Sequence, residues 1–158
     1  MLFFGHIGIS AFIAMMAFLP VLPVVVGVEL PDIIDKGLLE VFHTDCGRLW
    51  AHTIYFPIIA GLVTLLVTRN KKWAIAVALG SSLHLIEDLH DFIPFFHPFV
   101  KYDFATICAP YIKVVFDPYI ITTEIIGIGL LIFVFGFQEK FYRFRRAFWK
   151  LVNHGKDV

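Results

Sequence analysis

Apolar positions run through this 158-residue chain in four long blocks, at about residues 3 to 28, 49 to 68, 73 to 89 and 118 to 137. Blocks of this length predict helices, because a backbone surrounded by lipid has to satisfy its N–H and C=O groups within the segment. Pro20 and Pro23 interrupt the first block, removing two backbone donors and disfavouring a continuous helix from Leu19 to Val24. A helix of about 14 residues runs only about 21 Å, so this block is expected to double back as a hairpin instead of crossing once. Residues 92 to 117 set Pro94, Pro98 and Pro110 among aromatics and are expected to form an interfacial or re-entrant cover. Beyond the fourth block, Phe141, Phe144, Phe148 and Leu151 recur near helical spacing among Lys140, Arg143, Arg145, Arg146 and Lys150. That stretch reads either as an amphipathic helix on an anionic membrane surface or as a solvated basic stop-transfer tail.

The pattern predicts an all-α, polytopic membrane helical bundle of about four apolar segments, the first a Pro-broken hairpin, with a C-terminal amphipathic helix. Residues 1–137 form the expected membrane-embedded domain and residues 138–158 a basic cytoplasmic tail. Composition agrees. The chain is 59% hydrophobic and 16% charged, where a soluble domain carries about 25% charge, and its mean hydropathy is +0.81. A formal net charge of +0 supplies no overall field to attract nucleic acid, and none is expected as a partner.

The cations are unevenly placed, in Arg69-Asn-Lys-Lys72 and after the fourth block. The positive-inside rule puts both groups in the cytoplasm and residues 29 to 48 and 90 to 117 on the extracytoplasmic side of an inner membrane. The apolar start lacks a basic n-region and a clear small-residue cleavage site, so it is expected to remain in the mature protein. Cys46 and Cys108 fit neither a disulfide framework nor a CxxC motif and are read as structural.

Against this apolar background the ionisable side chains stand out. His84, Glu87 and Asp88 fall together near the end of the third block, with Asp91 one turn further on and His90 beside it. Placing a carboxylate at membrane depth costs about 2.5 to 3.5 kcal/mol, so such groups face a cavity, an ion or one another. His84 and Asp88 lie one helical turn apart and can reach a single divalent ion, whereas a helix end surfacing into water would need none.

The second block opens Gly47-Arg-Leu-Trp-Ala-His52-Thr and is expected to place His52 one turn inside Arg48 on one helix face, level with His84. Asp32 and Asp35 in Leu30-Pro-Asp-Ile-Ile-Asp-Lys36 are ligand candidates, or else residues at a helix start, where the dipole favours acids. His6 can join the others only if the first block reverses. Glu124 interrupts the fourth block and reads as a ligand, a general base, a second-shell acceptor or a snorkelling glutamate.

The order of Gly5-His6, Leu30 to Lys36, Gly47 to Thr53, Gly80 to Asp88, Phe96-His-Pro98 and Glu124-Ile-Ile-Gly127 resembles the YdjM-like membrane-bound metal-dependent hydrolases, over about residues 1 to 130. The series His, Asp, His, His-x-x-x-Asp is also distantly similar to the ligand order of zinc-dependent phospholipases C and single-strand nucleases. That resemblance implies a multinuclear zinc site acting on phosphodiesters. Asp32 or Asp35, His52, His84 and Asp88 would hold one ion, and His6 with a bridging Asp88 another. The pattern departs after Asp88, where no clear His-x-x-x-Glu set follows and His90, His97 and Glu124 are the only substitutes for a third ion. Lys101 has no assigned role.

The leading expectation is a membrane-embedded hydrolase of a lipid or lipid-linked phosphoester, with a metal-activated water, Glu124 and Asp35 as catalytic carboxylates, and Arg48 (with Lys36) holding phosphate. A metal-ion or proton transporter using the same residues is the alternative. A structural membrane protein with polar residues paired across helices is the third reading.

Overall fold

Proline placement accounts for where several helices begin. The structure, a computed structural model, describes residues 1–42, 47–104 and 117–154. The described residues form five α-helices and no strand: α1 Phe3–Met16, α2 Val21–Phe42, α3 Phe56–Thr68, α4 Lys71–Glu87 and α5 Pro118–His154. Pro20 directly precedes α2 and Pro23 lies in its first turn, while Pro57 and Pro118 open α3 and α5. Proline is tolerated there because first-turn N–H groups have no partner within the helix.

Pro31 is the exception, in the interior of α2. Its missing N–H would have bonded the carbonyl of Gly27, one turn earlier. Ser81 of α4 donates its hydroxyl to that carbonyl at 2.8 Å, so the freed acceptor is used to join two helices.

The expected reversal of the first block occurs, centred on Ala17–Pro20. Leu19 N–H donates to Ala14 O at 2.9 Å and Phe18 N–H to Met15 O at 3.2 Å, the paired bonds of a Schellman ending. Phe18 takes the left-handed position at φ 58° and stacks on Phe141 at 5.4 Å. The turn between α3 and α4 is tighter. Arg69 is left-handed at φ 53°, and the Asn70 side chain accepts from the N–H groups of Lys72 (3.0 Å) and Trp73 (3.3 Å), capping α4.

Two expectations need correction. The second apolar block does not start a helix at Gly47: residues 47–55 form turns, and α3 begins at Phe56. Leu49 and Ala51 instead give their N–H groups to the Asp35 carboxylate, a local arrangement incompatible with a continuing helical ladder. Leu30 to Lys36 is not a helix start either, since α2 runs through it. The helix expected after residue 137 is present, as a continuation of α5 without a break to His154, because no Gly or Pro intervenes to stop it.

Among the described residues one helix, Pro118–Phe144 within α5, is long and apolar enough to cross a membrane, and most of its apolar stretch is left uncovered by the rest of the protein. The apolar helices α1 and α3 have 14 and 13 residues. Cys46, Cys108 and Pro110 lie outside the described residues, as do the side chains of Arg145, Phe148, Lys150 and Leu151.

Packing runs in the order α5, α1, α2, α4, α3. Helices α2 and α4 touch backbone to backbone: a Cβ added to Gly80 would lie 2.1 Å from Val24 O, and one added to Gly27 would lie 2.3 Å from Val77 O. Such closeness brings the following turn of each helix together, which carries Asp32 and His84. Helix α5 lies parallel to α1, with Gly127 against Gly8, Phe133 against Phe12 and Phe141 against Phe18. The turns at Ala17–Pro20 and Arg69–Asn70 and the basic part of α5 therefore share one end of the bundle. His6, Asp32 and the C-terminus of α4 occupy the other.

Candidate metal centre

At that second end, α4 supplies the centre of the site. His84 is fully buried, and its Nε2 lies 3.1 Å from His52 Nε2, 3.8 Å from Asp32 Oδ1 and 3.9 Å from Asp88 Oδ2. His52 Nε2 is 3.5 Å from Asp32 Oδ1. His6 comes in from α1, stacking on the His84 ring at 4.3 Å and placing Nε2 3.3 Å from Asp88 Oδ1. Five of the six expected ligands thus converge, in two overlapping groups: His6, Asp32 and His84, and His52, His84 and Asp88.

The donor set fits a divalent cation. Ligand atoms around a tetrahedral zinc with bonds of about 2.0 to 2.1 Å are about 3.3 Å apart, and the separations here are 3.1 to 3.9 Å. His6 Nε2 is buried without a hydrogen-bond partner among the described residues. Imidazole nitrogens and carboxylate oxygens together are the donors zinc prefers. One ion could be held by His6, Asp32 and His84 and another by His52, His84 and Asp88, the two groups sharing His84.

Asp35, the sixth candidate, stands behind His52. It is fully buried, and its Oδ2 accepts from His52 Nδ1 at 2.8 Å and from Leu49 N–H at 2.6 Å, while Oδ1 accepts from Ala51 N–H at 3.0 Å. The neutral His52 tautomer with its proton on Nδ1 donates to this carboxylate and leaves the lone pair of Nε2 toward His84 and Asp32. Of the two carboxylates, Asp32 belongs to a group that could hold a metal ion, whereas Asp35 is occupied by His52 and by two backbone N–H groups. Asp35 orients His52 and pins the loop that bears it, the arrangement by which a carboxylate would support a metal-bound histidine.

The Arg48 guanidinium meets Asp88 at 3.0 Å and Asp91 at 2.9 Å, both through Nη2. Burial alone would lower the Arg48 pKa, but these two carboxylates outweigh it and raise it above the ordinary arginine value. Lys36, one turn beyond Asp32, is ion-paired with it, and the Met1 amino group is paired with Asp88.

Glu124 does not face the centre. Its Oε1 accepts from the N–H groups of Leu2 (3.1 Å) and Gly5 (2.9 Å) and its Oε2 from that of Phe4 (2.9 Å), so this carboxylate caps the N-terminus of α1 from α5. The described contacts of Glu124 are thus those of a cap, which satisfies three otherwise unpaired N–H groups at the start of α1. Among the third-ion substitutes, His90 stacks on Tyr119 at 4.3 Å and His97 packs edge-on against Trp50 at 4.9 Å, away from the two ligand groups. The segment around His97 covers the His52 loop, with Ile54 N–H donating to Phe95 O at 3.1 Å and Tyr55 against Phe99 at 5.6 Å.

Sequence reasoning left Glu87 and Ser10 without roles, although both lie against His6. Glu87 Oε2 accepts from His6 Nδ1 at 2.7 Å, and Ser10 donates its hydroxyl to Glu87 Oε1 at 3.1 Å. The available signal was spacing, since Ser10 follows His6 by one helical turn. No family model matches the chain, and neither a curated protein nor a solved structure matches it.

Proposed function

We propose that the chain is a membrane-embedded, metal-dependent hydrolase of phosphoesters, acting on a lipid or lipid-linked substrate with two zinc-class ions. The observation that carries this reading is the convergence of three buried imidazoles on two carboxylates, His6, His52 and His84 with Asp32 and Asp88. Polar groups that costly to bury need a common partner, and a divalent cation suits all five. When bound, such ions acidify a water and polarise phosphoryl oxygens. The protein's own part is orientation: Asp35 directs His52, and Arg48 ties Asp88 to Asp91 at the rim. Arg48, 27% exposed on its side chain, is the cation best placed to meet a substrate phosphate beside these ligands.

The lipid assignment is supported by apolar surface that the fold leaves uncovered, including Leu62, Leu66 and Val67 on α3 and Ile125, Ile132 and Phe135 on α5. Large exposed apolar faces of this kind suit hydrocarbon. Described cations at the far end, Arg69, Lys71, Lys72, Lys140, Arg143 and Arg146, support a cytoplasmic placement for that end and an extracytoplasmic one for the site. The likeness in motif order to YdjM-like hydrolases points the same way.

Purified protein in detergent, dialysed and assayed for metal and for phosphodiester turnover on phospholipid vesicles, tests the proposal. Wild type is expected to retain zinc and release phosphorylated headgroup, and His84→Ala to lose both. Retention without turnover, combined with zinc flux in proteoliposomes, would favour the transport reading.

A further inference from the structure

Glu87 and Asp88 are neighbours in sequence but serve opposite sides of one ring. Successive residues on a helix point about 100° apart, so at the end of α4 Asp88 faces the cluster while Glu87 reaches around the back of His6. Asp88 Oδ1 lies 3.3 Å from His6 Nε2, and Glu87 Oε2 lies 2.7 Å from His6 Nδ1. The other Glu87 oxygen is taken by Ser10 at 3.1 Å. Both oxygens are thus committed outside the cluster, and Glu87 belongs to neither ligand group.

We propose that Glu87 is a positioning residue that, held by Ser10, takes the Nδ1–H of His6 and thereby presents His6 Nε2 to the second ion. The inference rests on the metal-centre reading above and assigns the residue that orients one of its ligands. Only the Glu87 contact is a hydrogen bond, since Nε2 has no such partner among the described residues despite Asp88 nearby, so the neutral ring with its proton on Nδ1 donates to Glu87 and keeps its lone pair on Nε2. Without that acceptor the ring is free to take the other tautomer or to turn about its Cβ–Cγ bond, and either change withdraws the lone pair. The His6–Glu87 bond also ties α1 to α4, two helices whose main packing is with α5, α2 and α3. Outer-sphere carboxylates of this kind alter metal affinity by about 10- to 100-fold.

Two measurements on the full chain in detergent test the assignment. The first is zinc stoichiometry and affinity by chelator competition for wild type, Glu87→Gln, Glu87→Ala and His6→Ala. Glutamine keeps an acceptor oxygen for the Nδ1–H, so Glu87→Gln should hold as many ions as wild type with less than about a 10-fold loss, and Glu87→Ala should lose about 10- to 100-fold at one ion. His6→Ala should bind one ion fewer. If Glu87→Gln loses an ion as His6→Ala does, Glu87 is a ligand and the proposal is overturned; wild-type affinity in Glu87→Ala overturns it as well.

The second is ¹⁵N NMR of His6 in unsubstituted, metal-free protein, at a pH where the ring is neutral. A proton on Nδ1 is expected. A proton on Nε2 rejects the positioning role even if zinc is bound normally, whereas wild-type protein that binds no zinc defeats the metal reading and leaves the tautomer to decide what Glu87 does.

Discussion

His6 and His52 reach the same cluster by different routes. His6 stands on a regular helix, about three turns from the Schellman ending of α1, and needs only one carboxylate behind its ring. His52 sits in an irregular segment whose backbone is itself organised by the carboxylate that orients the ring. Asp35 therefore has a structural task and a positioning task at once, while Glu87 has mainly the second. Helical delivery separates fold from site, and loop delivery merges them.

Breaking the loop side should have the largest effect. Asp35→Ala leaves the N–H groups of Leu49 and Ala51 and the His52 ring without their buried acceptor, a loss of about 3 to 5 kcal/mol by analogy with other broken buried pairs. Thermal unfolding in detergent should register it, together with loss of zinc; an unchanged melting temperature would show that the loop holds itself. On the helical side the matching change is remote from the rings. Glu124→Ala removes the acceptor of three N–H groups at the start of α1 and should cost about 1 to 2 kcal/mol. On the proposed hydrolase reading, Glu124→Gln should keep most of the phosphodiester turnover, since the carboxylate is occupied by the N–H groups of α1. Abolished turnover in a normally folded Glu124→Gln protein would support the general-base role.

A smaller effect is expected where α2 and α4 are joined beside the site. Ser81→Ala leaves the Gly27 carbonyl opposite Pro31 unpaired, costing about 1 to 2 kcal/mol. Zinc stoichiometry should be unchanged, because the glycine contacts at Gly27 and Gly80 still bring the helices together. Loss of an ion in Ser81→Ala would mean that this one hydroxyl, and not the backbone contact, sets the distance between Asp32 and His84.

Much of the helical layout was legible in one dimension. Helix α4 was expected at 73–89 and runs 71–87, because an uncharged apolar run with a hydrophilic exit is a local signal; the Asn70 cap, two residues before Lys72, accounts for the earlier start. The reversal of the first block was equally local, since two prolines and a helix too short to span leave few alternatives. The start of α3 was misread because apolar content alone cannot distinguish a helix from an apolar loop pinned by a distant carboxylate.

Residue types and their order were enough to nominate His6, Asp32, His52, His84 and Asp88, because imidazoles and carboxylates in an apolar chain are few and expensive to bury. Their roles were another matter. Asp32 and Asp35 look alike in sequence, as do Glu87 and Asp88, and each pair was divided only when the helices packed and one carboxylate faced the cluster while its neighbour lay behind a ring. Glu124 was assigned to capping in the same way, by the arrival of the α1 N-terminus 119 to 122 residues away in sequence. Direction around a helix axis is local, but what lies in that direction is set by the packing of other segments, and for ionisable groups that surrounding determines the chemistry.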